Sequence, residues 1–201
     1  PDNGIWEPRK SPQHYTHSKV MAWAGLDRIV KMSESYGWKK APVEKFRQVA
    51  QQIREAIEEK GYDEEMKSYT QTFGGKALDA SLLTLPLVGY CDSGSSRMQS
   101  TVRAIAQDLQ NNRLIYRYAT GDGIRGEEAT FGICTFWYIE NLAKSGEIQK
   151  AIDSFDHICS FASPTGLLSE EMDARKNELL GNYPQGFSHI GLINAAMSIQ
   201  E

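Results

Sequence analysis

The chain has 201 residues, 40% hydrophobic and 24% charged, a composition that supports a real core and excludes a disordered polymer. Its 26 acidic residues outnumber 22 basic ones for a formal charge of −4, and no Lys/Arg run exceeds two residues, which argues against nucleic acid as a partner. A mean hydropathy of −0.48, the lack of a long apolar run and the polar leading residues PDNGIWEPRK exclude a spanning helix and show no signal-peptide core, so the chain is predicted to be soluble with no membrane contact.

Apolar residues recur at the helical period, as in Val43, Phe46, Ala50, Ile53 and Ile57, or Ile148, Ala151, Ile152, Phe155 and Ile158. Start and stop residues then place seven helices in chain order, at 16–36, 42–60, 78–89, 96–109, 127–144, 147–162 and 185–198. Gly37 follows the first, Pro42 opens the second and Gly61 closes it. Leu114 to Tyr118 is the one stretch that suits a short extended segment.

Short links at 37–41, 90–95 and 145–146 alternate with long ones at 61–77, 110–126 and 163–184. In an up-and-down array of helices, alternate links emerge on opposite rims, so the long loops are expected on one rim together with the leading segment 1–15. Long loops on a rigid helical frame are where ligand sites sit, although insertions of this length are also tolerated without function. Helical hairpins come in pairs, and a seventh helix leaves an apolar stripe that another segment must cover, which points to something missing before Pro1.

Gly121, Gly123 and Gly126 spell the G-x-G-x-x-G of a dinucleotide-binding turn, but Tyr116, Arg117 and Tyr118 do not make a buried parallel strand. Glu127 and Glu128 would also place negative charge where a pyrophosphate needs a positive helix N-terminus. The segment reads as a glycine-rich loop ahead of an acidic first helical turn. His14 and His17 stand three apart with no evident second pair of ligands, His157 and His189 are isolated and read as hydrogen-bonded structure, and no metal site is predicted. Cys91, Cys134 and Cys159 form no C-x-x-C and fit a reducing, cytoplasmic compartment, and Cys134 and Cys159, in apolar stretches, read as small buried thiols. No G-x-S-x-G elbow or Ser/His/Asp order is present.

What remains on the long-loop rim is carboxylates beside aromatics: Trp6 and Glu7, Arg117 and Tyr118, Glu127 and Glu128, and Glu170, Glu171 and Asp173. These residue types suit carbohydrate, because aromatic faces stack on sugar rings, Arg and carboxylates take hydroxyls in pairs, and two opposed acids cleave a glycosidic bond. Acidic loop residues are also commonly just solvated.

The segments GIWEPR at 4–9, THSKVMAWAGLDR at 16–28, LDASLLTLPLVGY at 78–90, YRYATGDGIRGEEATFGICTFW at 116–137, GLLSEEMD at 166–173 and LLGNYPQGFSHIGLINAA at 179–196 resemble glycoside hydrolase family fifteen over nearly the whole chain. This is the family of glucoamylase, glucodextranase and bacterial trehalase. The resemblance implies an all-α fold in which residues 1–201 are one unit, the second part, about seven helices, of an (α/α)6 barrel. It implies an inverting, exo-acting α-glucosidase that releases β-glucose from an α-glucan or trehalose, with no cofactor and no metal.

By the same resemblance Glu7 is the general acid, Glu170 the general base, and Trp6, Arg117 and Tyr118 line the first sugar subsite. Glu171 is read as a substrate contact or structural hydrogen bond, and Asn182 as the residue that orients the base. The two acids of an inverting enzyme stand roughly 6.5–9.5 Å apart, leaving room for water. Met21, Trp23, Leu26 and Ile29, and the Phe136–Trp137 pair, are assigned to packing, Asp27 and Arg28 to an internal ion pair or cap, and Lys19 to either core or site. The family's upstream helices and its Arg-Asp pair for the terminal glucose are not in these residues, so self-association, or pairing with the rest of the barrel, is expected. A non-catalytic helical scaffold or carbohydrate-binding remnant is the alternative.

Overall fold

A computed structural model describes residues 1–38, 40–119 and 129–201. Helix α1 (Thr16–Ser35) and helix α2 (Val43–Lys60) form the first hairpin, joined by a short link. Gly61 ends α2, where a Cβ would meet the Ile57 carbonyl oxygen at 2.8 Å. The long loop that follows carries a two-residue hairpin of β1 (Tyr62–Asp63) and β2 (Ser68–Tyr69).

A continuous helix at 78–89 does not form. Asp79 is extended, with φ −149° and ψ 129°, and its side chain caps the amide of Ser81 at 2.7 Å. A 3-10 turn over Ala80–Leu83 and the short α3 (Thr84–Leu87) follow, and Gly89 with φ 75° closes the segment. The backbone of Asp79 is engaged instead with Tyr118, in an isolated antiparallel bridge.

Helix α4 (Ser96–Leu109) leads into β3 (Gln110–Asn111) and β4 (Leu114–Ile115). Their turn residues Asn112 and Arg113 have φ of 46° and 67°, the left-handed pair that a two-residue hairpin needs. The short extended segment expected from Leu114 is therefore present as β4. The helix expected from residue 127 begins instead at Gly132, because Thr130–Phe131 is a strand, β5; Glu127, Glu128 and the three glycines before them lie outside the described residues.

Helix α5 (Gly132–Lys144), α6 (Ile148–Cys159) and α7 (Gly186–Gln200) make up the rest of the helical frame. The loop between α6 and α7 contains β6 (Glu171–Asp173) and β7 (Glu178–Leu180), which join β5 in an antiparallel sheet of order β5-β6-β7. Phe131 pairs with Glu171, and Glu171 with Leu180. The all-α expectation is thus corrected in the loops. Three small sheets hold the long connections, while the frame is helical. None of the described helices is long and apolar enough to cross a membrane.

The core gathers around α5, where Cys134, Phe136 and Ile139 are fully buried. Helix α7 comes so close that a Cβ on Gly191 would lie 2.9 Å from the Phe136 Cβ. Helices α2, α4 and α6 instead bury one stripe each, such as Met98, Ile105 and Leu109 of α4. Glu58 ties α2 to α4 by accepting from the hydroxyls of Tyr90 at 2.5 Å and Tyr69 at 3.0 Å and from Arg97 at 2.8 Å. Burial pushes the neighbouring Cys91 thiol up to about 12, so it behaves as an inert small hydrophobe.

Two packing assignments change. Met21 is 45% exposed rather than in the core, and the Asp27–Arg28 pair, although close at 2.6 Å, has its guanidinium on the surface. Phe187, Ile190, Ile193 and Met197 form an exposed apolar stripe along α7, each more than half exposed at 64%, 54%, 56% and 57%.

Glu140 sits in α5 with 6% exposure and makes no hydrogen bond or ion pair among the described residues. Burial raises its carboxyl from 4.5 to about 7, with Lys144 opposing the shift. The folded chain therefore holds this proton more tightly than the unfolded chain, and stability falls as pH rises from 4.5 to about 7. Denaturant titrations across that window should show the decline in the native sequence, and a Glu140→Gln variant should have a measurably flatter profile.

Candidate active site

The site is assembled where the leading segment meets three long loops. Asp2 fastens that segment to α1, accepting from Ser18 and Lys19 at 2.7 Å each. Lys19 is thereby accounted for as structure. The segment next pairs with the first long loop, through the Tyr15–Thr72 bridge and the Phe73 amide on the His14 carbonyl at 2.9 Å.

Trp6 then reaches inward. Its indole N–H donates to the two oxygens of Asp79 at 2.9 and 3.1 Å, and its ring packs against Phe131 at 5.6 Å, Trp137 at 6.3 Å and Tyr118 at 6.4 Å. Trp137, assigned above to packing alone, is thus part of the wall that holds Trp6. The Arg117 guanidinium lies over three of these rings, 5.0 Å from Phe131, 5.3 Å from Tyr118 and 5.7 Å from Trp6. It also stands 4.0 Å from the carboxylate of Glu171, with both side chains only about one-fifth exposed. Trp6, Arg117, Tyr118 and Glu171 are therefore neighbours around Phe131.

Glu170 is held differently. Its carbonyl accepts from the Gly132 amide at 2.8 Å, and its own amide donates to the Asn182 carbonyl at 2.9 Å, so its main chain is fixed at the start of α5 and at the loop before α7. One carboxylate oxygen accepts from the Asn182 amide at 3.1 Å and its side-chain Nδ2 at 3.0 Å. The other accepts from Gln185 Nε2 at 3.2 Å, and Gln185 also caps α7 by accepting from the Phe187 amide at 3.3 Å. All three donors are N–H groups, which an ionised carboxylate, an acceptor at both oxygens, satisfies.

Glu7 contrasts with it at each point. It is exposed, it has φ 49°, and its carboxylate makes no hydrogen bond or ion pair among the described residues. Its connection to the rest of the site runs through the backbone of Trp6. Of the residues singled out from the sequence, Asn182 touches Glu170 directly, the four wall residues touch one another, and Glu7 adjoins them by chain.

Sequence reasoning missed Asp79, Phe131 and Gln185. Asp79 and Gln185 lie inside the segments LDASLL and LLGNYPQGF, but nothing in their spacing separates a buried hydrogen-bonding carboxylate or amide from an exposed one. The histidines remain structural: His14 stacks on Phe73 at 6.0 Å, and His189 accepts from the Leu168 amide at Nε2 and faces the Gln185 carbonyl at Nδ1, 2.7 Å away. Burial pulls the His17 imidazole below its ordinary value. Among the described residues, no group of three or more His, Cys, Asp or Glu could hold a metal ion.

Residues 1–197 match the family model described as glycosyl hydrolases family 15. This chain belongs to that family. The trehalase of Mycobacterium tuberculosis is 43% identical over 99% of the chain, and that of Thermoplasma volcanium 36% identical over all of it. The chain spans only 29% and 32% of those two relatives. Among solved structures, a glycosidase in complex with glucose superposes with a TM-score of 0.84 at 19% identity, covering the whole chain and 55% of its own length. The glucoamylase of Saccharomycopsis fibuligera gives 0.76 at 14% identity over 98% of the chain and 57% of its own. The family 15 chain thus shares the helical fold of these glycosidases.

Gly181 leaves room for the Glu170 carboxylate. It has φ 71°, and a Cβ there would lie 2.8 Å from the Glu170 Oε2. Gly181→Ala should therefore lower the unfolding free energy by roughly 1–2 kcal/mol, the usual cost of a left-handed residue with a Cβ. Gly186→Ala, at an open position in the first turn of α7, should be neutral or stabilising in the same denaturation experiment.

Proposed function

We propose that this chain carries the acid, the base and one wall of the glucose pocket of an inverting, exo-acting α-glucosidase that hydrolyses trehalose or another α-linked terminal glucose to β-glucose. The observation that carries this reading is the difference between the two carboxylates. Glu170 is fixed by three N–H donors, whereas Glu7 has no partner among the described residues and follows a wall residue. Family membership supports the reaction class, and the trehalase names of the relatives favour trehalose as substrate.

In this reading Glu170 is the base. It draws a proton from a water that attacks the anomeric carbon on the face opposite the leaving oxygen, while Glu7, protonated, donates to that oxygen as the glycosidic bond breaks. One C–O bond forms and one breaks, with inversion at the anomeric carbon. The proton left on Glu170 returns to solvent, from which Glu7 is recharged. Asn182 and Gln185 orient the base, Trp6 and Tyr118 offer apolar ring surface to the sugar, and Arg117 with Glu171 offers a donor and an acceptor for its hydroxyls.

The chain is taken as one unit, part of an (α/α)6 toroid whose remaining helices complete the pocket. The apolar stripe of Phe187, Ile190, Ile193 and Met197 supports this, since a face of this kind on α7 is suited to burial against further helices. Turnover is accordingly expected from the longer protein and not from residues 1–201 alone.

Glu7→Gln and Glu170→Gln, made in the longer protein, should each lower kcat on trehalose by about 10²–10⁴-fold while calorimetry shows the sugar still bound. Turnover like that of the native protein in either variant removes that residue from its assigned role.

A further inference from the structure

We propose that Asp79 is a positioning residue for the general acid, acting through the indole of Trp6. The inference rests on the assignment of Glu7 as that acid. It concerns a residue that lies under the pocket wall, behind Trp6, and holds one of its members.

Glu7 is difficult to hold. A non-glycine residue with φ 49° is unfavourable, and Glu7 also precedes Pro8, whose ring drives the preceding residue towards extended backbone. A pose of this kind persists only where the surroundings over-determine it. The Glu7 side chain gives no help, having no hydrogen bond or ion pair among the described residues. The restraint has to come from its neighbour.

Trp6 supplies that restraint in two ways, of which only one is directional. The rings of Phe131, Trp137 and Tyr118 confine the indole, but ring packing at 5.6–6.4 Å tolerates sliding and rotation. The N–H on both oxygens of Asp79, at 2.9 and 3.1 Å, removes that freedom. Asp79 is itself immobile. It is 1% exposed, accepts from the Ser81 amide at 2.7 Å and Gln71 Nε2 at 2.9 Å, and its extended backbone bridges Tyr118. The next amide, of Ala80, donates to the Arg117 carbonyl at 2.8 Å. One buried side chain thus references the acid's segment to the loop that carries Arg117 and Tyr118.

Every hydrogen bond Asp79 receives comes from an N–H. An Asn in its place would turn one acceptor into a donor and set two donors against each other, at Trp6 or at Gln71. A misplaced acid slows reactions that need a proton on the leaving group and spares those that do not. α-Glucosyl fluoride provides that contrast, because fluoride departs without general-acid help.

The test compares trehalose with α-glucosyl fluoride in the longer protein. Asp79→Asn should lower kcat on trehalose by about 10- to 100-fold with little change in KM, while hydrolysis of the fluoride stays within about 3-fold of the native rate. Trp6→Phe keeps a ring and loses the N–H; whatever its smaller ring costs in sugar contact falls on both substrates, so its loss on trehalose should still exceed its loss on the fluoride by about 10-fold or more, and on trehalose the double variant should be no slower than the slower single one. Should Asp79→Asn fail to fold, Trp6→Phe alone decides the outcome. Equal losses on both substrates, or native rates on both, would overturn the proposal, as would losses that multiply in the double variant. A native protein inert on both substrates overturns the parent assignment of Glu7, and this inference with it.

Discussion

Helix α5 has almost no face left for water, and the rest of the chain is arranged around that constraint. Residues from Gly132 to Ala143 are buried at ten of twelve positions, so neighbours must enclose the helix on every side. The 3-10 turn with α3, then α6, α7, β4 and β5, all pack on it. Enclosing a helix in this way gains hydrophobic energy without regard to direction, but it fixes the positions of the loops that arrive at its N-terminal end. There the Gly132 amide meets the Glu170 carbonyl, and one turn further along Trp137 meets Trp6. The core helix is therefore also the floor of the site.

Two ways of holding a carboxylate follow from that floor. Glu170 is held by polar contacts at its backbone and both oxygens, which costs little because each N–H finds an acceptor. Glu7 is held by its chain alone, in a left-handed conformation ahead of a proline. A base must present lone pairs in a fixed direction, whereas an acid must be able to carry and release a proton. The difference in environment matches that division of labour. The aromatic group of Trp6, Tyr118 and Phe131 beneath Arg117 adds a wall with apolar faces and a fixed cation.

The helical frame was legible in the sequence because period 3.6 and punctuation by Gly37, Pro42 and Gly61 are local signals. The gathering of long loops on one rim followed from link lengths, and contacts among residues 2–15, 71–79, 117–118 and 170–182 bear it out. What failed was the helix at 78–89. Its apolar pattern is helical, but the extended backbone of Asp79 serves Tyr118, about forty residues away, and its carboxylate serves Trp6, 73 residues away, which no local pattern encodes. The small sheets escaped for a related reason, since strands of two or three residues are too short to show alternation. Wording resembling the family, rather than periodicity, singled out Glu7, Glu170 and Asn182. Gln185 and Asp79 stood in the same segments, unmarked because burial and hydrogen bonding arise only on folding.

In the proposed reaction two carboxylates of unequal environment perform a single displacement with inversion. Proton NMR of the longer protein with trehalose, recorded before the sugars mutarotate, tests this most directly. A single inverting displacement converts one glucose unit to the β-anomer and releases the other as the α-anomer, so the first spectra should show equal amounts of each. A first product of α-glucose alone would mean retention and contradict the acid–base assignment of Glu7 and Glu170.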